Sequence, residues 1–351
     1  MQHFEMYKDK GLTGLTNLGN TCFINSCIQI LSHTYELNDF LNIETYKKKL
    51  KNKYESALLL EWDELRKLMW KENCIISPGK FIKTIQKLAQ VKNIEIFTGY
   101  AQNDLPEFLL FVIDCFHTSL SRDVNMSILG EISNHTDEMA VQCFEMIKKM
   151  YSREYSEIWN LFYGIHVSQI ISLNDETKNV LSSSPEPYFI INLSIPHEIK
   201  HPTLIDCFDL YVKGETLSGE NAWFNEATQK KEDVIKKISY WSFPSILVID
   251  MKRFNSQNRK NQIMVDFPLE NLDLSKYVVG YKKESYIYDL YGICNHSGNV
   301  QGGHYTAFIK NANGKWYHFN DTNITEVDNL QNLITPRAYC FFYRKKTFIY
   351  I

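Results

Sequence analysis

The run Gly14-Leu15-Thr16-Asn17-Leu18-Gly19-Asn20-Thr21 is dense in turn and N-cap residues, and it stops where a helix begins. From there Ile24, Cys27, Ile28 and Leu31 fall at the i, i+3, i+4, i+7 spacing of a helix with one buried face. The periodicity predicts a helix to about Ser32, with Cys22 at the point where loop becomes helix. Helix N-termini carry unpaired N–H groups and the positive end of the backbone dipole, and both stabilise a thiolate. Cys22 is therefore expected to have a lowered pKa and to be a nucleophile near neutral pH. Asn17, one short loop upstream, is placed to donate to an oxyanion forming on a carbonyl under attack. Cys27, on the apolar face, reads as an ordinary core thiol.

A partner for Cys22 lies near the other end of the chain. Gly302-Gly303-His304-Tyr305-Thr306-Ala307-Phe308-Ile309-Lys310 and Lys315-Trp316-Tyr317-His318-Phe319-Asn320-Asp321 alternate around Asn313-Gly314, the pattern of a β-hairpin. A two-residue turn would put His304 and Asn320 on opposite faces. A three-residue loop, Ala312 to Gly314 with Gly314 left-handed, pairs Thr306 with Asn320. His304 and Asn320 are then diagonal neighbours on one face. The three-residue loop is the predicted one. A Cys nucleophile, a His base and an Asn that orients the base make a triad for acyl transfer.

With these two stretches in hand, the chain resembles the ubiquitin-specific protease family, a branch of the papain-like cysteine proteases. Gly14 to Ser26 is similar to its Cys box and Gly302 to Asp321 to its His box. Gly99 to Asp114 resembles its glutamine–aspartate–glutamate helix. Asn160 to Gly164, Glu186 to Tyr188, Asn192 to Ile195, Phe243 to Leu247, Lys252-Arg253-Phe254 and Ala338 to Arg344 match in the family's order. The resemblance implies an α+β fold in one catalytic domain over residues 11–350. Residues 11–162 would form a helical thumb, 163–240 the fingers and first palm strands, and 241–350 an antiparallel palm.

The same resemblance implies a thiol-dependent deubiquitinase acting at the C-terminal glycine of ubiquitin, with ubiquitin and ubiquitinated proteins as partners. Asp321, beside Asn320, either assists it or replaces it. Asp104 and Glu107 read locally as a capping box and by resemblance also face the basic ubiquitin tail. Gly302 and Gly303 suit close approach of substrate backbone. Tyr305 would pack over the tail, and Phe254 would line its channel. The alternatives are the same chemistry on a ubiquitin-like modifier and a pseudoenzyme that binds ubiquitin without cutting it.

Many family members hold a structural zinc in the fingers. At the corresponding positions this chain has Ser172 and Asp175, then Asn225 and Thr228, which are poor zinc ligands. No metal or other cofactor is expected, and Trp223, Phe224 and Trp241 are the candidates to hold the fingers by packing. A net charge of -3 argues against nucleic acid as the main partner. The eight cysteines include no C-x-x-C pair, and there is no signal-peptide pattern or membrane-length apolar run. An intracellular monomer, cytoplasmic or nuclear and not secreted, is the expectation.

Other expectations concern local structure. Met1 to Lys10 should fray. Helices are predicted over Ala57 to Trp70, from Ser77-Pro78, from Asp104, and over Glu138 to Met150 and Glu154 to Leu161, with a break near Tyr151-Ser152-Arg153. Strands are predicted at Ile165 to Ser172, Tyr188 to Ile195, Leu204 to Tyr211, Ser245 to Met251, Met264 to Pro268 and Tyr286 to Cys294. His296 to Gln301 reads as a loop before the base.

Overall fold

A computed structural model describes residues 2–99, 101–173, 179–299 and 302–347. Tyr100, Asp175, Val300 and Gln301 lie outside the described residues. Among the described residues, from Gln2 on, the lead-in is packed, not frayed. Gln2–Tyr7 form a 3-10 turn, and Tyr7 is buried, stacked 4.5 Å from Tyr35 and bonded to Asp39 at 2.6 Å.

The thumb begins with β1 (Gly14–Leu15), which pairs in parallel with β2 (Ile75–Ile76). Its helices are α1 (Cys22–Ser32), α2 (Tyr35–Asn42), α3 (Tyr54–Lys71), α4 (Gly79–Val91), α5 (Leu105–Leu120), α6 (His135–Glu154) and α7 (Glu157–Phe162). Leu58, Trp62, Leu65 and Met69 form the buried stripe of α3, as their spacing predicts. Pro78 stands at the N-cap of α4, outside the helix, where its fixed φ and missing N–H cost nothing. Asp104 caps α5, its Oδ1 accepting the Glu107 N–H at 3.4 Å.

One boundary and one burial pattern differ from expectation. α6 runs unbroken through Tyr151 to Arg153. The break falls at Tyr155-Ser156, because Tyr155 leaves the helix to pair with Arg122 and Ser156 then caps α7. And α1 is buried on every side, not along one stripe. It lies between the thumb helices and the palm sheet, so its polar residues must bond inward. Gln29 donates to the Thr13 carbonyl at 2.6 Å, and Asn25 donates to the Leu15 carbonyl at 3.3 Å.

Strands dominate the rest. In chain order they are β3 (Gly164–Ser172), β4 (Val180–Tyr188), β5 (Ile190–Leu193), then after a helix β6 (Glu215–Leu217), β7 (Trp223–Asn225), β8 (Lys230–Glu232), β9 (Val234–Ser242), β10 (Ile246–Met251), β11 (Leu272–Asp273), β12 (Ile287–Asn299), β13 (Gly302–Lys310), β14 (Trp316–Asn320), β15 (Asn323–Glu326) and β16 (Ala338–Lys345). The palm sheet has the order β15-β14-β13-β12-β16-β10-β5, with β11 beside β12. Its pairs are antiparallel except that β5 joins β10 in parallel. The fingers sheet has the order β4-β3-β9-β6, and β7 and β8 form a separate ribbon.

The run expected as a strand at Leu204 to Tyr211 is a helix, α8 (Leu204–Val212). Thr203 and Asp206 form a capping box, and Leu204, Cys207 and Phe208 make the buried face. Both signals were in the sequence but were outweighed by the β-rich surroundings. Met264 to Pro268 contributes only an isolated bridge, at Asp266. β12 extends into the expected loop as far as Asn299, so His296 is a strand residue.

In the fingers, Trp241 packs with Met139, Cys143 and Ile147 of α6, as expected, whereas Phe224 is largely exposed. At the tip, Asn225 Nδ2 and Thr228 Oγ1 both donate to Glu232 Oε1, at 3.0 and 2.6 Å. Two side chains that act as donors to one carboxylate are the reverse of a metal's ligand set. These residues do not fit a zinc ion.

Candidate active site

Cys22 is the first residue of α1, at the seam of thumb and palm. The loop before it is held by its own side chains. Asn17 Oδ1 accepts the N–H groups of Gly19 and Thr21 at 3.0 and 3.2 Å, and Thr21 Oγ1 accepts the Leu18 N–H at 2.9 Å. These local bonds turn the chain sharply enough to aim both Asn17 and the helix start at the palm.

The His304 hairpin has the predicted loop. Ala307 pairs with Phe319 and Lys310 with Trp316, so one step further Thr306 stands opposite Asn320. Asn311 and Lys315 close the ladder around Ala312 to Gly314, and Gly314 has φ 86°. His304 and Asn320 share a face, and His304 Nε2 lies 2.7 Å from Asn320 Oδ1. A carbonyl oxygen only accepts, so Nε2 carries the ring proton and Nδ1 keeps a free lone pair. The next residue, Tyr305, bonds through its backbone to the Cys22 sulfur.

The Cys22 thiol is not lowered as the helix start suggests. Burial raises it above its ordinary value, and the charge of Asp321 adds to this. Backbone hydrogen bonds from Tyr305, Phe23 and Cys22 itself pull it down without reversing the shift. Desolvation at the seam outweighs the helix end. Cys27 is pushed up further, by burial alone.

Asp321 does not turn toward the imidazole. It sits in the left-handed region, φ 49°, which swings its carboxylate back to the Cys22 loop. Oδ2 accepts from Asn17 Nδ2 at 3.0 Å and Oδ1 from Asn25 Nδ2 at 2.7 Å. With its oxygen fixed by the turn and one N–H spent on Asp321, Asn17 has one N–H left to donate.

Beside Cys22 and His304 lies a cleft of about 380 Å³ lined by Asp104, Phe254, Tyr305, Tyr339, Gln102 and His296, among others. Three of the expected substrate-binding residues, Asp104, Tyr305 and Phe254, thus come together there. Glu107 is exposed and is not among the lining residues. Gly303 is required to be small by its own sheet, whatever approaches it from the cleft. A Cβ on it would lie 2.3 Å from the Ser297 carbonyl oxygen and 2.5 Å from His296 Nε2, both within its own sheet.

Burial raises the Asp104 carboxyl, while the Tyr339 hydroxyl, bonded to Oδ2 at 2.6 Å, and the Glu107 N–H pull it down. Asp250 on β10, half-buried like Asp104, is pushed up to about 7 by desolvation and by the charge of Asp104. Gln102, His296 and Lys260 were not singled out from sequence. Gln102 Oε1 accepts the Gly303 N–H at 2.7 Å and ties thumb to palm. Its only signal was its place in the same stretch as Asp104. His296 and Lys260 gave none.

A thiol at a helix start, facing a strand whose imidazole is oriented by an amide, defines the class of papain-like cysteine hydrolases. Within that class the assignment is specific. The family model described as ubiquitin carboxyl-terminal hydrolase matches residues 13–343, and the chain belongs to this family. It is 34% identical over 348 residues to ubiquitin carboxyl-terminal hydrolase 2 of Homo sapiens, which covers 95% of this chain and 55% of the relative. The protein of the same name from Gallus gallus is 34% identical, with 95% and 93% covered. Ubiquitin carboxyl-terminal hydrolase 21 of Homo sapiens is 31% identical over 372 residues, covering 98% and 63%. The chain thus spans little more than half the length of the first of these mammalian relatives. Among solved structures, the fold matches the SAGA DUB module of Ubp8, Sgf11, Sus1 and Sgf73 bound to monoubiquitin. The TM-score is 0.73 at 23% identity, over 98% of this chain and 71% of that one.

Proposed function

We propose that this chain is a deubiquitinase that hydrolyses the isopeptide or peptide bond at the C-terminal glycine of ubiquitin. The observation that carries the reading is the His304 Nε2–Asn320 bond, which leaves a basic Nδ1 on the strand whose next residue bonds the Cys22 sulfur. Because the resting sulfur is a thiol, His304 acts as a base during attack and not as half of a preformed ion pair.

Cys22 Sγ attacks the glycine carbonyl carbon as its proton passes to His304 Nδ1. The remaining N–H of Asn17 and the backbone N–H of Cys22 hold the oxyanion. The tetrahedral adduct collapses, the C–N bond breaks, and the departing lysine amine takes the proton from His304. Water then attacks the thioester, giving its proton to His304, and the glycine carboxylate leaves as the thiol is restored. Asn320 orients His304, and Asp321 holds Asn17. The carboxyl of Asp104, which lines the cleft, suits it to a basic extended peptide. A soluble partner, ubiquitin, and action as an intracellular monomer belong to the same reading. No described helix is long and apolar enough to cross a membrane.

The test is covalent labelling by ubiquitin carrying a C-terminal electrophile, with SUMO and NEDD8 probes in parallel. Wild type and Cys22-intact Cys27→Ala should label with ubiquitin, and Cys22→Ala should not. Labelling by another modifier alone would leave the chemistry and change the substrate. Binding without labelling would make the chain a pseudoenzyme.

A further inference from the structure

Lys260 has no part in the chemistry above, yet it reaches the cleft wall. It is bridged to Phe254 across the intervening loop, and its Nζ crosses to β12. There it lies 3.1 Å from His296 Nδ1 and donates to the His296 carbonyl at 2.5 Å. It also stands 5.8 Å from the centre of the Phe254 ring. His296 is buried, pairs with Tyr305 across β12 and β13, and has its ring 4.6 Å from the Tyr305 ring. Its Nε2 lies against Gly303, the residue before His304.

An ammonium has three donors and no acceptor. Burial, helped by Arg253, lowers Lys260 to about 8, which leaves it an ammonium at neutral pH. Its contact with Nδ1 then requires a lone pair there, and the ring proton must sit on Nε2. Burial, and after it the charge of Lys260, pushes His296 down to about 4, so the ring is neutral at neutral pH. The same wall holds a second donor. Gln102 spends its oxygen on Gly303, and its Nε2 is buried with no hydrogen-bond partner among the described residues. An extended peptide entering this cleft presents a carbonyl at every residue and must find donors for those it buries.

We propose that Lys260 is a positioning residue that locks His296 in its Nε2–H tautomer, so that His296 stands beside Gly303 as a fixed donor to a backbone carbonyl of the substrate tail. This rests on the cleft being the tail channel of the deubiquitinase. The lock binds substrate and transition state alike, so its loss should appear in KM and not in kcat.

The experiment measures hydrolysis of ubiquitin bearing a C-terminal aminocoumarin by wild type, Lys260→Met, Lys260→Arg, His296→Phe and the double variant Lys260→Met/His296→Phe. Thermal melting and ring nitrogen NMR spectra of His296 accompany it. Lys260→Met should raise KM about twofold, because a proton spread over both nitrogens leaves the donor form about half populated, with kcat unchanged. Lys260→Arg should restore KM. His296→Phe, which removes the donor outright, should raise KM about tenfold, and the double variant should be no worse than His296→Phe alone. The spectra should show the proton on Nε2 in wild type and spread over both nitrogens in Lys260→Met. An unchanged tautomer, or a KM that stays at the wild-type value while only the melting temperature falls, overturns the proposal. If wild type cleaves nothing, the functional reading fails and the donor role with it, while the spectra still decide whether Lys260 sets the tautomer.

Discussion

Asp321→Asn separates two effects of one carboxylate. Asn tolerates the left-handed backbone at this position, so the turn after Asn320 and the bond from the Leu15 N–H to the residue 321 carbonyl, 2.9 Å, should survive. The side chain, however, now offers one oxygen and one NH2 to two amides that both donate. Asn25 resists turning over because its Nδ2 also serves the Leu15 carbonyl. Asn17 resists because its Oδ1 accepts from Gly19 and Thr21. One donor must lose its partner, and Asn17 is the more exposed of the two. A hydrogen bond to a charged group contributes about 1.5–3 kcal/mol. If that is what holds the oxyanion donor in place, kcat falls about 10- to 150-fold. The charge acts on Cys22 in the opposite sense. Asp321 raises the thiol, so its removal lowers the thiol pKa and makes the free sulfur easier to alkylate. The assay pairs ubiquitin–aminocoumarin turnover with the pH dependence of iodoacetamide alkylation at Cys22, read by peptide mass spectrometry. Turnover should drop while the alkylation midpoint moves to lower pH. Wild-type kcat would refute the assignment. So would parallel loss of turnover and alkylation, which would place Asp321 on His304.

Other variants test the surroundings. Gly303→Ala drives a Cβ into the Ser297 carbonyl and the His296 ring, and overpacking of that kind costs about 1–3 kcal/mol; the melting temperature should fall and turnover should go with it, because the next residue is His304. Glu157→Gln probes a thumb tie. Burial works against the charge, but Arg122 and Lys49 hold Glu157 down at about 2. A depressed carboxyl stabilises above its unfolded value and loses that contribution as pH falls through the folded one. The variant should therefore lose about 2–3 kcal/mol in denaturant unfolding at pH 7, with the gap to wild type closing between about pH 4.5 and 2. Glu232→Ala removes the acceptor shared by Asn225 and Thr228; amide exchange over residues 223–232 should accelerate, and a chelator should leave the wild-type exchange unchanged.

What the sequence made legible was local or periodic. The start of α1 at Cys22 followed from turn residues giving way to helical spacing, and the hairpin register followed from Gly314 and the need for His304 and Asn320 to share a face. What it hid were quantities that exist only once distant segments meet. The Cys22 pKa is one: a helix start is visible in sequence, but the burial that overrides it comes from the thumb closing on β13. The direction of Asp321 is another. Its neighbour Asn320 suggested work on His304, yet one left-handed φ sends its carboxylate to Asn17 and Asn25, near the other end of the chain. His296 read as a loop residue for the same reason, since the extension of β12 that carries it is set by pairing with β13. The helix at Leu204–Val212 differs in kind, because its capping box was present and was outweighed by its neighbours. The helix-start position of Cys22 and the shared face of His304 and Asn320 could therefore be read from residue type and spacing, whereas the contacts that surround them emerge only from the packing of the thumb against the palm.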